Sequence, residues 1–255
     1  MDMPTSEQAK KRIDIRVIIP NIITLIALAS GVTAIKFAVD GRFEYAAAAI
    51  LISAFLDGLD GQIARLLRGT SSFGAELDSL ADLVNFGVSP ALVMYLWGLH
   101  EVKNFGWLAC LIFIIAMALR LARFNVLNNL SHNAPENEAP ATPKSYFLGI
   151  PAPASALLCL FPLYIDLTGF AGSDTFIYYI SVLYILVLSA FTVSSIKTFS
   201  PKSLRFQTGN ARLLMIGIAI YFACLITLTW HTLMGACLVY CVHLFYATLR
   251  FLKKR

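Results

Sequence analysis

Charged side chains are scarce in this sequence. They make up 14% of the 255 residues against 58% hydrophobic ones, which excludes an ordinary soluble domain, where roughly a quarter of residues are charged. No two cysteines face each other across a polar loop. Cys110, Cys159, Cys224, Cys237 and Cys241 all sit inside apolar runs, which excludes a disulfide framework and leaves them as packing residues. Histidine is nearly absent: His100 and His231 fall near turns, His132 in a polar loop, and His243 alone inside an apolar run. A histidine-built catalytic or metal site is thereby excluded. The chain shows no internal repeat and no inverted duplicate of any charged segment, as a repeat solenoid or an inverted-repeat transporter would. No loop combines a basic patch with exposed aromatics, so nucleic acid is not an expected partner.

What the chain has in abundance is long apolar runs, and its mean hydropathy is +0.72. About 20 apolar residues in a helix span a bilayer core of roughly 30 Å, and eight stretches approach that length. They lie near Val17–Val39, Glu44–Leu67, Leu77–Trp97, Trp107–Val126, Phe147–Ile165, Ile177–Val193, Leu213–Thr229 and Leu233–Phe251. An all-α membrane protein of about eight transmembrane helices is therefore expected. With eight spans, all but three of the 20 basic residues (Lys36, Arg42 and Lys103) fall on the side of the two termini. The positive-inside rule makes that side cytoplasmic. Residues 1–16 read as a basic leader, 17–252 as a single membrane domain and 253–255 as a basic tail. The first run is too long for a cleaved signal core and is expected to stay. Two longer polar loops, Asn128–Ser145 and Ser194–Asn210, are cytoplasmic by the same count. The net charge of +5 suits loops that face anionic lipid headgroups.

Against this background, four aspartates crowd residues 56–84, LDGLDGQIARLLRGTSSFGAELDSLADLV. Side chains three or four apart share a helix face, so Asp57 and Asp60 line up with Gly61, Ala64 and Arg65 on the second span. Asp78 and Asp82 do so on the third, and helical spacing carries Asn85 and Ser89 onto the same face. A short connection makes the two helices antiparallel neighbours, and their carboxylates can meet at the cytoplasmic end. Four carboxylates in one place repel, and an intramembrane charge costs several kcal/mol, so something cationic belongs among them. Divalent cations favour carboxylate oxygen, and paired metals about 3.5–4 Å apart recur in phosphoryl displacement. Two other readings of the acids are helix glue paired with Arg65, Arg68, Arg120 and Arg123, and the ion path of a cation-coupled transporter. The small residues Gly61, Ala64 and Gly74 leave room for a ligand against the backbone.

The order Asp57-x2-Asp60-Gly61-x2-Ala64-Arg65-x8-Gly74-x3-Asp78-x3-Asp82 resembles, at every fixed position, the signature of the CDP-alcohol phosphotransferases. That resemblance implies transfer of a phosphatidyl or related group from a CDP-linked donor to an alcohol, with release of CMP. It implies metal ligation by Asp57, Asp60, Asp78 and Asp82, with two Mg2+ or Mn2+ ions, and Asp82 as the catalytic base. It also implies a CDP-diacylglycerol site at Gly61, Ala64, Arg65, Ser71 and Gly74. Pro20-Asn21-Ile22-Ile23-Thr24 is similar to a family segment near the donor, which adds Asn21 and Thr24.

Three further stretches, Phe86–Ala91, Arg120–Asn125 and Phe147–Ala154, resemble the branch of the family whose acceptor is L-serine. Asn85, Ser89, Arg120 and Arg123 are the acceptor candidates, the arginines sharing a helix face where they can meet a carboxylate. Glycerol phosphate, inositol phosphate and choline are the alternative acceptors. The expected partners are CDP-diacylglycerol, L-serine and membrane lipids, and a homodimer is left open.

Overall fold

The computed structural model describes residues 15–67, 71–133, 146–170, 175–194, 197–199 and 211–252. The expected tail, the leader apart from Ile15 and Arg16, and Arg68 lie outside these residues. Helix α1 (Ile15–Val39) turns through Gly41, with φ +73°, into α2 (Phe43–Leu67). This pair forms the most extensive helix contact in the molecule. The reason is local: Ala34 and Ala38 of α1 share the buried core with Ala46, Ala47, Ala49 and Ile50 of α2. Small side chains let helix backbones approach closely where lipid supplies no hydrophobic drive. Ser30 Oγ then donates across the interface to the Ala49 carbonyl at 2.8 Å.

The next rod runs from Ser72 to Trp97 and is not uniform. It comprises α3 (Ser72–Asp82), a π-helical segment Leu83–Val88 and α4 (Ser89–Trp97). Pro90 explains the wide winding, because it has no N–H for the ladder and its ring would strike the carbonyl four residues back. The Ser89 N–H bonds instead to the Val84 carbonyl, five residues back. The expectation that Asn85 continues the Asp82 face assumed plain α-helical winding. In the structure Asn85 is turned toward α1, where a Cβ on Gly31 would collide with its side-chain oxygen.

A short 3-10 turn at Leu99–Val102 leads to α5 (Asn104–Asn133), which continues past the expected span end. The fifth expected span, Phe147–Ile165, is not one helix. It is a strand, β1 (Tyr146–Leu148), a turn at Gly149 with φ +77°, α6 (Ala152–Cys159) and α7 (Phe161–Leu167). Each short helix carries proline in its first turn, where the absent N–H costs nothing. A continuous helix would have needed the N–H that Pro162 lacks. Then follow α8 (Phe176–Val193), β2 (Lys197–Phe199), α9 (Ala211–Thr227) and α10 (Thr229–Leu252). Strands β1 and β2 pair antiparallel, Phe147 opposite Thr198, in a ribbon that is the one departure from an all-helical fold among the described residues.

Among the described residues, five helical stretches are long and apolar enough to cross a membrane: Ile18–Val39, Phe43–Leu67, Ser72–Trp97, Asn104–Leu127 and Phe176–Val193. The protein is a membrane protein. Its exposed large side chains are apolar along whole helix faces, such as Ile18, Ile22, Leu25 and Ile26 on α1 and Ile216, Ile220 and Ile226 on α9, as lipid-facing surfaces require. The helix ends remote from the aspartates are tied by indole–carboxylate bonds. Trp97 Nε1 donates to Asp166 Oδ2 at 2.8 Å and Trp230 Nε1 to Glu44 Oε1 at 3.1 Å.

Candidate active site

The aspartates come together where α2 ends and α3 begins. Ser71 caps α3, its Oγ accepting the Gly74 N–H at 3.0 Å, and this starts the helix in the register that turns Asp78 and Asp82 toward α2. One carboxylate oxygen each from Asp57, Asp60 and Asp78 lies within 4.8 Å of the others. Asp82 stands beside them within hydrogen-bonding reach of Asp57. Among the described residues no lysine or arginine forms a salt bridge with any of the four. The helix-glue reading therefore finds no ion pair at the site among the described residues, Arg120 standing within electrostatic reach of Asp82 without bonding to it. Three clustered carboxylates without a basic partner make a hard-oxygen donor set, and such a set fits a divalent metal.

The expected donor residues divide into two groups. On α2, Gly61 and Arg65 are exposed and Ala64 is half-buried, and a Cβ added at Gly61 would meet nothing within 4 Å. A bare strip of helix thus runs beside the acids. Gly74 is different, since a Cβ there would come within 2.8 Å of Asn21 Oδ1 and 3.1 Å of Ser71 Oγ. Its missing side chain makes room for α1 as well as for any ligand. Thr24, expected near the donor, points instead at a carboxylate: its Oγ1 lies 2.6 Å from Asp60 Oδ2.

The acceptor candidates separate too. Arg120 lies within electrostatic reach of Asp82, and its Nε is buried without a hydrogen-bond partner. Asp82 Oδ1, Asn85 Oδ1 and Ser89 Oγ are also buried and unpartnered. Arg123 is engaged elsewhere: Nη1 donates to the Val193 carbonyl at 2.9 Å and Nη2 to that of Ser194 at 3.3 Å. These bonds satisfy carbonyls at the end of α8, which a helix leaves open. The Arg123 guanidinium thus braces α5 against α8, and the structure does not bring it to the aspartates with Arg120. Asn125 of the same motif ties α5 to α3, its Nδ2 donating to Ser79 Oγ at 2.9 Å.

Two residues near the site were not singled out in the sequence. Ser53 is fully buried with an unpartnered hydroxyl. It lies one turn before Asp57, so extending the polar stripe backward would have found it. Tyr240 of α10 reaches the electrostatic neighbourhood of Arg120, and nothing in its apolar surroundings marks it.

Comparison with known proteins agrees with this geometry. The family model for CDP-alcohol phosphatidyltransferase matches residues 17–194, and a second, CDP-alcohol phosphatidyltransferase 2, matches 212–244. A protein of Mycobacterium leprae is 31% identical over 245 residues, covering 96% of this chain and 79% of the relative. One of Helicobacter pylori is 34% identical over 204 residues, covering 80% and 81%. One of Mycobacterium tuberculosis is 44% identical over 140 residues, 55% of this chain and 46% of the relative. All three are named CDP-diacylglycerol–serine O-phosphatidyltransferase. The chain spans about half the length of the mycobacterial relatives it matches at 44%. The aspartate cluster lies inside the stretch covered by the first family model, and with alignment to one relative over nearly its whole length, the chain belongs to the CDP-alcohol phosphatidyltransferase family.

Proposed function

We propose that this protein transfers the phosphatidyl group of CDP-diacylglycerol to L-serine, giving phosphatidylserine and CMP, at the cytoplasmic face of the cell's inner membrane. The observation that carries the acceptor is two buried, unpartnered atoms on residues within electrostatic reach of each other: Asp82 Oδ1, an acceptor, and Arg120 Nε, a donor. Serine offers a hydroxyl to the first and a carboxylate to the second. Buried polar atoms are almost always satisfied, so a ligand with both groups answers the orphans together.

In this reading Asp57, Asp60 and Asp78 hold divalent metal, Mg2+ or Mn2+ and two ions, with Asp82 at the edge of the set. When bound, the metal supplies neutralisation of the donor pyrophosphate. Gly61, Ala64 and Arg65 form the face on which the nucleotide lies, and the Ser71 hydroxyl, which accepts from Gly74, keeps its hydrogen to donate. Arg120 orients serine by its carboxylate, and Asn85 and Ser89 belong to the polar surround below. The serine oxygen attacks the diacylglycerol-linked phosphorus while the bond from that phosphorus to the CMP oxygen breaks. The serine proton goes to Asp82, and CMP leaves with the electron pair. Aspartate, with a reference pKa of about 3.9, is a weak base, so proton removal must accompany the attack rather than precede it.

The engagement of Arg123 with α8 favours serine over a phosphorylated alcohol such as glycerol phosphate or inositol phosphate, which calls for more than one cation. Choline lacks the carboxylate that Arg120 would hold. A transporter is disfavoured because the acids sit on one pair of neighbouring helices, all on the same side of the helix midpoints, with no inverted duplicate of the segment in the sequence.

The test is CMP release by purified protein from CDP-diacylglycerol with a panel of alcohols. Serine should be turned over far faster than ethanolamine, which keeps the hydroxyl and amine without the carboxylate. Arg120→Ala should narrow that preference by roughly tenfold or more, on the scale of one hydrogen bond to a charged group. Preference for glycerol phosphate in the wild type would sink the serine assignment while sparing the family.

The two glycines should also part company. Gly61→Val adds bulk to an open face and is expected to raise the donor KM while leaving the serine KM and the melting temperature nearly unchanged. Gly74→Val drives its side chain into Asn21 and Ser71 and should destabilise the protein by about 1–3 kcal/mol, the usual cost of overpacking. A Gly61→Val protein with normal donor KM would move the nucleotide off this strip.

A further inference from the structure

Thr24 is buried on α1, and its hydroxyl faces two acceptors with one hydrogen to give. The Pro20 carbonyl lies at 3.1 Å and Asp60 Oδ2 at 2.6 Å. Serines and threonines elsewhere in these helices bond the carbonyl four residues back at shorter range: Thr33 at 2.6 Å, Ser181 and Ser189 at 2.7 Å, Thr192 at 2.9 Å. The Thr24 hydroxyl has been drawn off that default position toward Asp60. A separation of 2.6 Å falls in the range of about 2.5–2.7 Å for a hydroxyl donating to a carboxylate. With Asp60 ionised, as a metal ligand must be, the hydrogen can only lie between those two oxygens. Asp60 is itself 4% exposed, so this bond fixes a carboxylate with little other freedom.

We propose that Thr24 is a positioning residue for Asp60, occupying one carboxylate oxygen so that the other serves as a single-point metal ligand. This rests on the metal reading given above and replaces the expectation that Thr24 touches the donor. Its chemical consequence is metal choice. Small Mg2+ and Mn2+ suit single-oxygen carboxylate ligands in octahedral sites, whereas the larger Ca2+ readily takes a carboxylate by both oxygens. An Asp60 held by Thr24 disfavours the two-point mode. Without that bond the carboxylate is free to swing and accept the larger ion.

The experiment measures Mn2+ binding to the full-length protein in detergent, without substrate, from the electron paramagnetic resonance signal of free Mn2+, and then displacement by Ca2+. Thr24→Val keeps the shape and removes the hydroxyl. It should weaken Mn2+ by about 10–100-fold, the scale for losing a partner of a metal ligand, and let Ca2+ compete better relative to wild type. Thr24→Ser should restore both, and Thr24→Ala should match Thr24→Val, which covers the case that valine disturbs folding. Donor KM at saturating metal should stay near wild type in every variant. Normal Mn2+ affinity in Thr24→Val with a raised donor KM would overturn the proposal, as would equal losses in Thr24→Val and Thr24→Ser, which would make the methyl group the important part. A wild-type protein that binds no Mn2+ would instead remove the metal reading on which this rests.

Discussion

Asp57→Asn, Asp60→Asn and Asp78→Asn, made singly, are each expected to cut turnover by at least about 10²–10³-fold, the scale for removing one electrostatic group aimed at developing charge. The reason is charge as well as shape. Among the described residues the three carboxylates form no salt bridge, so they balance a divalent ion by their own negative charge, and an amide removes one unit of it. Mn2+ affinity should fall with activity in all three. Folding should survive, because the cluster gains no salt bridge from these charges and neutralising an intramembrane charge relieves a desolvation cost. Near-normal turnover in any of the three across a range of Mg2+ and Mn2+ concentrations would defeat the metal reading.

Asp82→Asn should be as damaging to turnover for a different reason. Loss of a general base costs typically 10²–10⁴-fold, and asparagine cannot take the serine proton. Asp82 stands outside the three-carboxylate group whose oxygens lie within 4.8 Å, so most of the Mn2+ affinity and the donor binding should remain. The diagnostic is therefore the split: the three cluster variants lose metal and turnover together, and Asp82→Asn loses turnover alone. A drop in Mn2+ affinity as large as that of Asp57→Asn would make Asp82 chiefly a ligand.

The aspartate site was legible in the sequence because it rests on short-range regularities. Asp57 and Asp60 share a helix face by spacing alone, and Asp78 and Asp82 share another; a short connection between the two helices does the rest. What escaped was set by contacts distant in the chain. Arg123 reads as a free cation until its partners, the carbonyls of Val193 and Ser194, are seen some seventy residues later. Thr24 finds Asp60 across 36 positions. The π segment hid because its residues are mostly apolar and read as part of one continuous span, and winding is a property of the hydrogen-bond ladder that only Pro90 betrays. The broken fifth span was masked by the opposite effect: its prolines were visible, yet hydropathy counts apolar area and is blind to a missing N–H.

The two tryptophan–carboxylate bonds at the end remote from the aspartates have a mechanical consequence. One anchors the start of α2, through Glu44, to α10, and the other anchors the finish of the Ser72–Trp97 rod to α7. Both carboxylate-bearing helices are thus fastened to outside helices at the end opposite the one where residues 68–70 join them to each other, so the pair is held at both ends. The gap between Asp57 and Asp60 on one side and Asp78 on the other is therefore set from both directions, like a bridge deck resting on two piers.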